Sequence, residues 1–152
     1  MKTRFHMHQE IFDAPAERLF ALLVTPSAIR GWWGASRAVV IAEHGGIWAA
    51  AWGDEDLPDC VSAFRIRDFQ PPRRLFLDDA RYFARSGSLA FNAQITAEFT
   101  IGTTGSGSSL RVVQAGFPCD PAADGYYAAC ETGWRETFKG IRRFLSGGER
   151  QS

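Results

Sequence analysis

Residues 121–145, PAADGYYAACETGWRETFKGIRRFL, carry Tyr127, Cys130, Trp134, Phe138, Ile141 and Leu145 at intervals of three or four. That spacing lays one apolar stripe along a single long helix. Asp120-Pro121 supplies a start for it and Gly147 a stop. Upstream the period is different. In residues 89–101, LAFNAQITAEFTI, the positions Leu89, Phe91, Ala93, Ile95, Ala97, Phe99 and Ile101 alternate with Ala90, Asn92, Gln94, Thr96, Glu98 and Thr100. Strict alternation predicts one long strand with a wet face. The Gly/Ser/Thr-rich stretch 102–109 is read as its turn, and Leu110, Val112 and Gln114 continue the buried face on the return.

Working back toward the N-terminus, residues 1–12 alternate in part. Phe5, Met7 and Ile11 fall on one side, predicted to be buried, and Arg4, His6, His8 and Glu10 on the other, predicted to meet water. Asp13-Ala14-Pro15 then opens a helix, with Pro15 at its first position, Glu17 in its first turn, and Ala16, Phe20 and Leu23 on one face. A second short helix follows, capped by Thr25, opened by Pro26 and running to Gly31. Residues 37–43 and 47–52 read as strands around Gly45-Gly46, where glycine supplies positive φ. Residues 61–69 and 75–78 are further strands, separated by Pro71-Pro72, which cannot continue a ladder. The order is strand, two helices, about six strands, long helix. A sheet of that size cannot bury its face under two short helices, so the long helix must lie across it. The sheet has to curl around that helix, which gives a two-layer α+β domain spanning 1–152 with space between its layers.

Seventeen basic residues balance seventeen acidic ones, so no global field points to nucleic acid. Three cysteines at irregular spacing make neither a disulfide framework nor a zinc motif. The charged N-terminus resembles no signal peptide, and no apolar run approaches a membrane span. The expectation is a cytoplasmic protein without membrane insertion.

Motifs for nucleophilic, nucleotide or phosphate chemistry are missing, and no catalytic set and no cofactor is predicted. His6 and His8 could share a metal, but on a solvated face the expectation is none. His44 reads as an exposed turn residue, and Cys130 on the apolar stripe as an inert buried thiol. Arg65, Arg67, Arg73 and Arg74 read as a solvated sheet edge whose charge discourages pairing, with an anion- or partner-binding patch as the alternative. The five tryptophans say more. Trp32 and Trp33 end the second helix, Trp48 and Trp52 share a strand face, and Trp134 sits mid-stripe. Large rings facing a curved sheet fill a core or wall an apolar pocket. Gly133 and Gly140 leave room on the long helix for close sheet packing or for a ligand. Gln114, alone polar on a presumed inner face, needs a partner.

Residues 11–23, IFDAPAERLFALL, resemble the opening "I-x-A-P-x-E-x-V-W-x-A-L" of a known superfamily, with Leu19-Phe20 in place of Val-Trp. Trp32-Trp33, Gly45-Gly46, Pro71-Pro72-Arg73-Arg74-Leu75 and Gly133-Trp134 recur in its order and spacing. The superfamily is the START-like, or SRPBCC, group (Bet v 1-like fold). The branch is the bacterial one named after the C-terminal domain of the activator of the heat-shock protein 90 ATPase. The resemblance implies a helix-grip fold: a curved antiparallel sheet of six or seven strands around a long C-terminal helix, with two short helices after the first strand. It also implies an internal cavity for a hydrophobic molecule, and no shared catalytic residue set. The expected ligand-binding residues are Trp33, Trp48, Trp52, Phe91, Ile95, Gln114, Tyr127 and Trp134. The expected partner is a small apolar molecule, held by a carrier or sensor, with a homodimer left open. Two alternatives stand beside it. One is a polyketide cyclase- or dehydratase-like enzyme in the same cavity, with Asp78, Tyr82 or Tyr127 as acid or base; the other is a co-chaperone-like interaction module.

Overall fold

A computed structural model describes residues 2–89 and 91–147. Strand β1 (Thr3–Phe12) leads into helices α1 (Ala16–Val24) and α2 (Pro26–Trp33). Six strands follow: β2 (Arg37–Val40), β3 (Ile47–Gly53), β4 (Pro58–Gln70), β5 (Arg74–Ala84), β6 (Thr96–Thr103) and β7 (Ser108–Pro118). Helix α3 (Pro121–Ser146) closes the chain. The strands form one curved antiparallel sheet in the order β1-β7-β6-β5-β4-β3-β2, so β1 and β2 are its edges. The helices cover its concave face, the helix-grip arrangement.

Helix α3 starts where expected. The Asp120 carboxylate accepts a hydrogen bond from the Ala122 N–H at 3.0 Å, which satisfies one of the orphan donors of the first turn. Its stripe packs Trp134, Phe138 and Ile141 onto Phe12, Phe99 and the helix pair. Gly140 allows α3 to approach α2, since a Cβ there would stand 2.2 Å from the Trp32 carbonyl oxygen. Two buried indoles bind α1 to its surroundings: Trp32 donates to the Leu22 carbonyl and Trp48 on β3 to that of Leu23.

Several expectations need correction. The faces of β1 are reversed: Phe5 and Ile11 are 60% and 59% exposed, while His6 is only 5% exposed. The residue that sets the phase is Phe12, 1% exposed and of the same parity as His6, whose cross-strand partner is the buried Gln114. The layer above is polar here, so the inner charges of β1 find partners on α3: Arg4 with Asp124, and Glu10 with Arg142.

Residues 91–95 alternate in burial but are not a strand. The β5–β6 ladder runs only from Arg74↔Thr100 to Leu77↔Ala97, and a bulge at Asp79, held at φ 51°, interrupts the β4–β5 ladder just beyond. The chain instead runs beside β7, where Gly116 at φ 92° leaves space for the Gln94 carbonyl. Ala90, part of the alternation in the sequence, lies outside the described residues.

Thr25 stands at the N-cap of α2 with Pro26 opening the helix, as expected, but its side chain makes no cap bond. Its hydroxyl donates to the Ala21 carbonyl of the preceding helix, and α2 runs past Gly31 to end on Gly34 in the left-handed region. Pro15 precedes the first helical residue and accepts the Arg18 and Leu19 N–H groups through its carbonyl. The arginine cluster is no sheet edge, because β4 and β5 are interior strands. Arg67 pairs with Asp78, and Arg74 with Asp68 and Glu98.

Candidate functional site

Between the sheet and α3 lies a chamber of about 190 Å³. Trp33 closes it from α2, Trp48, Phe64 and Phe99 wall it from the sheet, and Gly133 and Trp134 roof it. The Trp33 ring stands 5.3 Å from Trp48 and 6.3 Å from Trp134, stacked on the latter at 22° between planes. Phe99 meets Trp134 edge-on at 5.7 Å. Strand alternation puts these rings inward, and the helix pair turns Trp33 back over them. Opposite Trp134, the Gln114 carboxamide oxygen accepts the indole N–H at 2.6 Å. The polar group expected to need a partner has one, and the bond fixes the tryptophan across the chamber roof.

A second chamber of about 280 Å³ shares Ser62, Phe64, Gln114 and Tyr126 with the first. Its farther walls are Tyr82 from β5 and Phe91 and Ile95 from the segment leading into β6. Tyr126 lies at the junction, 5.7 Å from Phe91 and 6.2 Å from Tyr82 between ring centres. Burial, then the neighbouring Cys130, raises the Tyr126 phenol well above its ordinary range. Burial likewise pushes the Cys130 thiol up to about 11, against a lowering hydrogen bond from Tyr126. Both groups are therefore uncharged near neutral pH. The thiol is a poor nucleophile there.

Of the residues singled out in the sequence, Trp33, Trp48, Gln114 and Trp134 come together around the inner chamber, and Phe91 and Ile95 border the outer one. Trp52 lines neither. It supports Trp33 from behind, edge-on at 4.7 Å, and donates to the Trp33 carbonyl. Tyr127 also lines neither. Its ring packs on Phe117 and His6, the Arg4 guanidinium covers it at 4.5 Å, and its hydroxyl donates to the Phe5 carbonyl. The neighbouring Tyr126 takes the cavity position. The signal for it was the spacing 126, 130, 133, 137 along α3, a narrow row of mixed polarity beside the apolar stripe. Tyr82 borders the outer chamber, whereas Asp78 lies on a different groove and pairs with Arg67.

His6 and His8 sit under α3 with ring centres 5.4 Å apart. Neither His6 nitrogen has a hydrogen-bond partner, and burial lowers the pKa of both imidazoles. Among the described residues, no group of three or more His, Cys, Asp and Glu side chains is placed to hold a metal. No helix among them is long and apolar enough to cross a membrane.

Residues 13–146 match the family model described as Activator of Hsp90 ATPase homolog 1-like protein. Among curated proteins, none matches the chain by sequence. Solved structures share its fold at low identity. Protein MLL2253 from Mesorhizobium loti is 20% identical with a TM-score of 0.76, over 98% of this chain and 99% of that one. CalU16 from Micromonospora echinospora is 18% identical with a TM-score of 0.70, over 96% and 76% respectively. DynU16, a protein of the dynemicin biosynthetic locus, is 16% identical with a TM-score of 0.73, and this chain covers 48% of it.

Proposed function

The chain belongs to the Activator of Hsp90 ATPase homolog 1-like family, and from the geometry of its cavity we propose that it binds a small hydrophobic molecule between sheet and α3, as carrier or sensor. The observation that carries this reading is the aromatic inner chamber, which shares Ser62, Phe64, Gln114 and Tyr126 with a second one. A well-packed domain leaves few voids larger than a water molecule. Two adjoining spaces walled by rings instead suit a flat apolar ligand, held by the area it removes from water. One structural relative, DynU16, comes from a biosynthetic locus, which fits a metabolite as the cargo.

Binding is favoured over turnover by what lines the space. Among the described residues, no carboxylate or imidazole borders either chamber. The phenol and thiol at the junction hold their protons at neutral pH. The test is fluorescence titration with phenylnaphthylamine, an uncharged dye that brightens in apolar surroundings. Saturable binding with quenching of tryptophan emission is expected, and displacement by an apolar metabolite should restore it. A dye that stays dark, with melting temperature unmoved, removes the reading.

A specific observation keeps a second one in view. Phe5, Met7 and Ile11 form an exposed apolar row on the edge strand β1, the kind of surface an interaction module or a homodimer would use. Sedimentation at high concentration tests it, and a strict monomer that Phe5→Glu leaves unchanged counts against self-association.

A further inference from the structure

The outer chamber has a way out through the sheet. The β5–β6 ladder ends at Leu77↔Ala97, yet β5 continues to Ala84 beside residues 91–95, which are not a strand. On the far side of this interruption lies a groove of about 790 Å³. The groove and the outer chamber share Ala80, Arg81, Ala93 and Ile95, the residues on the two banks of the break. The three spaces therefore follow one another, from a tryptophan-lined end to a polar mouth.

The mouth carries charge of a definite kind. Arg65, Arg67 and Arg81 face Asp78 and Asp79 there, three cations against two carboxylates. Arg67 is engaged by Asp78 at 2.8 Å. Arg81 touches only its near neighbour Asp79, at 3.2 Å, with both side chains more than half exposed. An exposed pair of this type is weak and exchanges readily for a better partner. Arg81 is also the one arginine that borders the groove and the outer chamber alike. The backbone is strained at this point, with Asp79 at φ 51°, and the Asp78 oxygen Oδ1 is buried without a hydrogen-bond partner. The break is built into an interior strand pair, where an unbroken ladder would otherwise be the stable choice.

We infer that the ligand is an amphipathic acid: it passes between β5 and residues 91–95, its apolar body fills the two chambers, and its anionic group pairs with Arg81 at the mouth. This rests on the binding function proposed above and adds the charge of the ligand and its orientation. A planar guanidinium suits a carboxylate or sulfonate, which it can hold through two parallel hydrogen bonds.

Two dyes with nearly the same apolar body separate the claims: phenylnaphthylamine, uncharged, and anilinonaphthalene sulfonate, an anion. The sulfonate should displace the uncharged dye from the wild-type protein. Arg81→Gln should weaken the sulfonate about tenfold, the scale of one charge-assisted hydrogen bond, and the uncharged dye, which loses only a wall contact, far less. Arg81→Lys should recover part of the loss, and Arg65→Gln, at the outer bank only, should cost less. Added salt should weaken the sulfonate alone. Equal loss of both dyes on Arg81→Gln, no loss of either, or failure of the sulfonate to displace the uncharged dye overturns the inference and spares the cavity. Failure of the uncharged dye to bind the wild type removes the cavity function itself, and this inference with it.

Discussion

At the scale of single residues, the bond between Gln114 and Trp134 joins sheet to helix at a place where both groups are largely buried. Trp134 is 7% exposed, and so is Gln114. Replacing Trp134 by alanine removes a large ring from the layer contact and should cost about 3–5 kcal/mol in urea unfolding. Gln114→Leu leaves the indole N–H buried without an acceptor, a loss of about 1–3 kcal/mol. Trp134→Phe leaves the carboxamide oxygen without its donor instead. Combining Gln114→Leu with Trp134→Phe removes both halves, so the double variant should lose clearly less than the sum of the singles. Strict additivity would mean that the bond contributes nothing. His6 makes a different demand. Its pKa lies below 6.5, chiefly through burial and then through the His8 charge, with Glu131 opposing. As pH falls below about 6.5 the unfolded chain takes up this proton before the folded one does, so the contribution of His6 to stability falls with pH until the folded form is protonated as well. His6→Phe, filling the space between Phe117 and Tyr127, should flatten that slope in urea midpoints measured across the acid range. An unaltered slope would place the proton uptake elsewhere.

At the scale of elements, two glycines on α3 have opposite duties. A Cβ on Gly140 would meet the Trp32 carbonyl oxygen at 2.2 Å, and backbone cannot swing aside as a side chain can. Gly140→Ala should therefore force α2 and α3 apart and destabilise by about 1–3 kcal/mol. At Gly133 a Cβ meets nothing within 4 Å, so Gly133→Ala should stabilise by up to about 1 kcal/mol through helix propensity alone. The same methyl would narrow the inner chamber, so dye binding should weaken as the melting temperature rises. The stripe of α3 was legible because 3.6-residue periodicity survives any detail of packing. The cavity row beside it was not, because Tyr126, Cys130 and Thr137 are ordinary helix-flank residues until a sheet curves away beneath them. Alternation in residues 89–101 reported burial faithfully at Ile95, Ala97, Phe99 and Ile101. Burial is what a period of two encodes. Whether a ladder forms depends on the neighbouring strand, and here the bulge at Asp79 has no glycine to announce it. In β1 the alternation is real, but Phe5 and Met7 point to one phase and Phe12 to the other, and a shift of one residue exchanges every side chain between faces.

At the scale of the whole molecule, the ligand would stand between the two layers rather than on a surface. The chambers take walls from α2, from the sheet and from α3, so a bound apolar body touches every layer that unfolding must separate. Binding to the folded state alone stabilises it by mass action, about 2.7 kcal/mol at a free ligand concentration of a hundred times Kd. The melting temperature should therefore rise with the logarithm of phenylnaphthylamine concentration. The rise should be the same at low and high salt, because the attraction comes from apolar area and not from charge. The contrast with a surface patch is sharp. A dye held by the exposed row of Phe5, Met7 and Ile11 would lose its effect in Phe5→Glu, which touches neither chamber. A dye held inside should ignore that substitution and lose its effect in Trp134→Phe or Gly133→Ala, both of which alter the chamber roof. Thermal shifts that follow Phe5 and not the roof would turn the molecule inside out as a binding protein, moving its function from the cavity to the edge of the sheet.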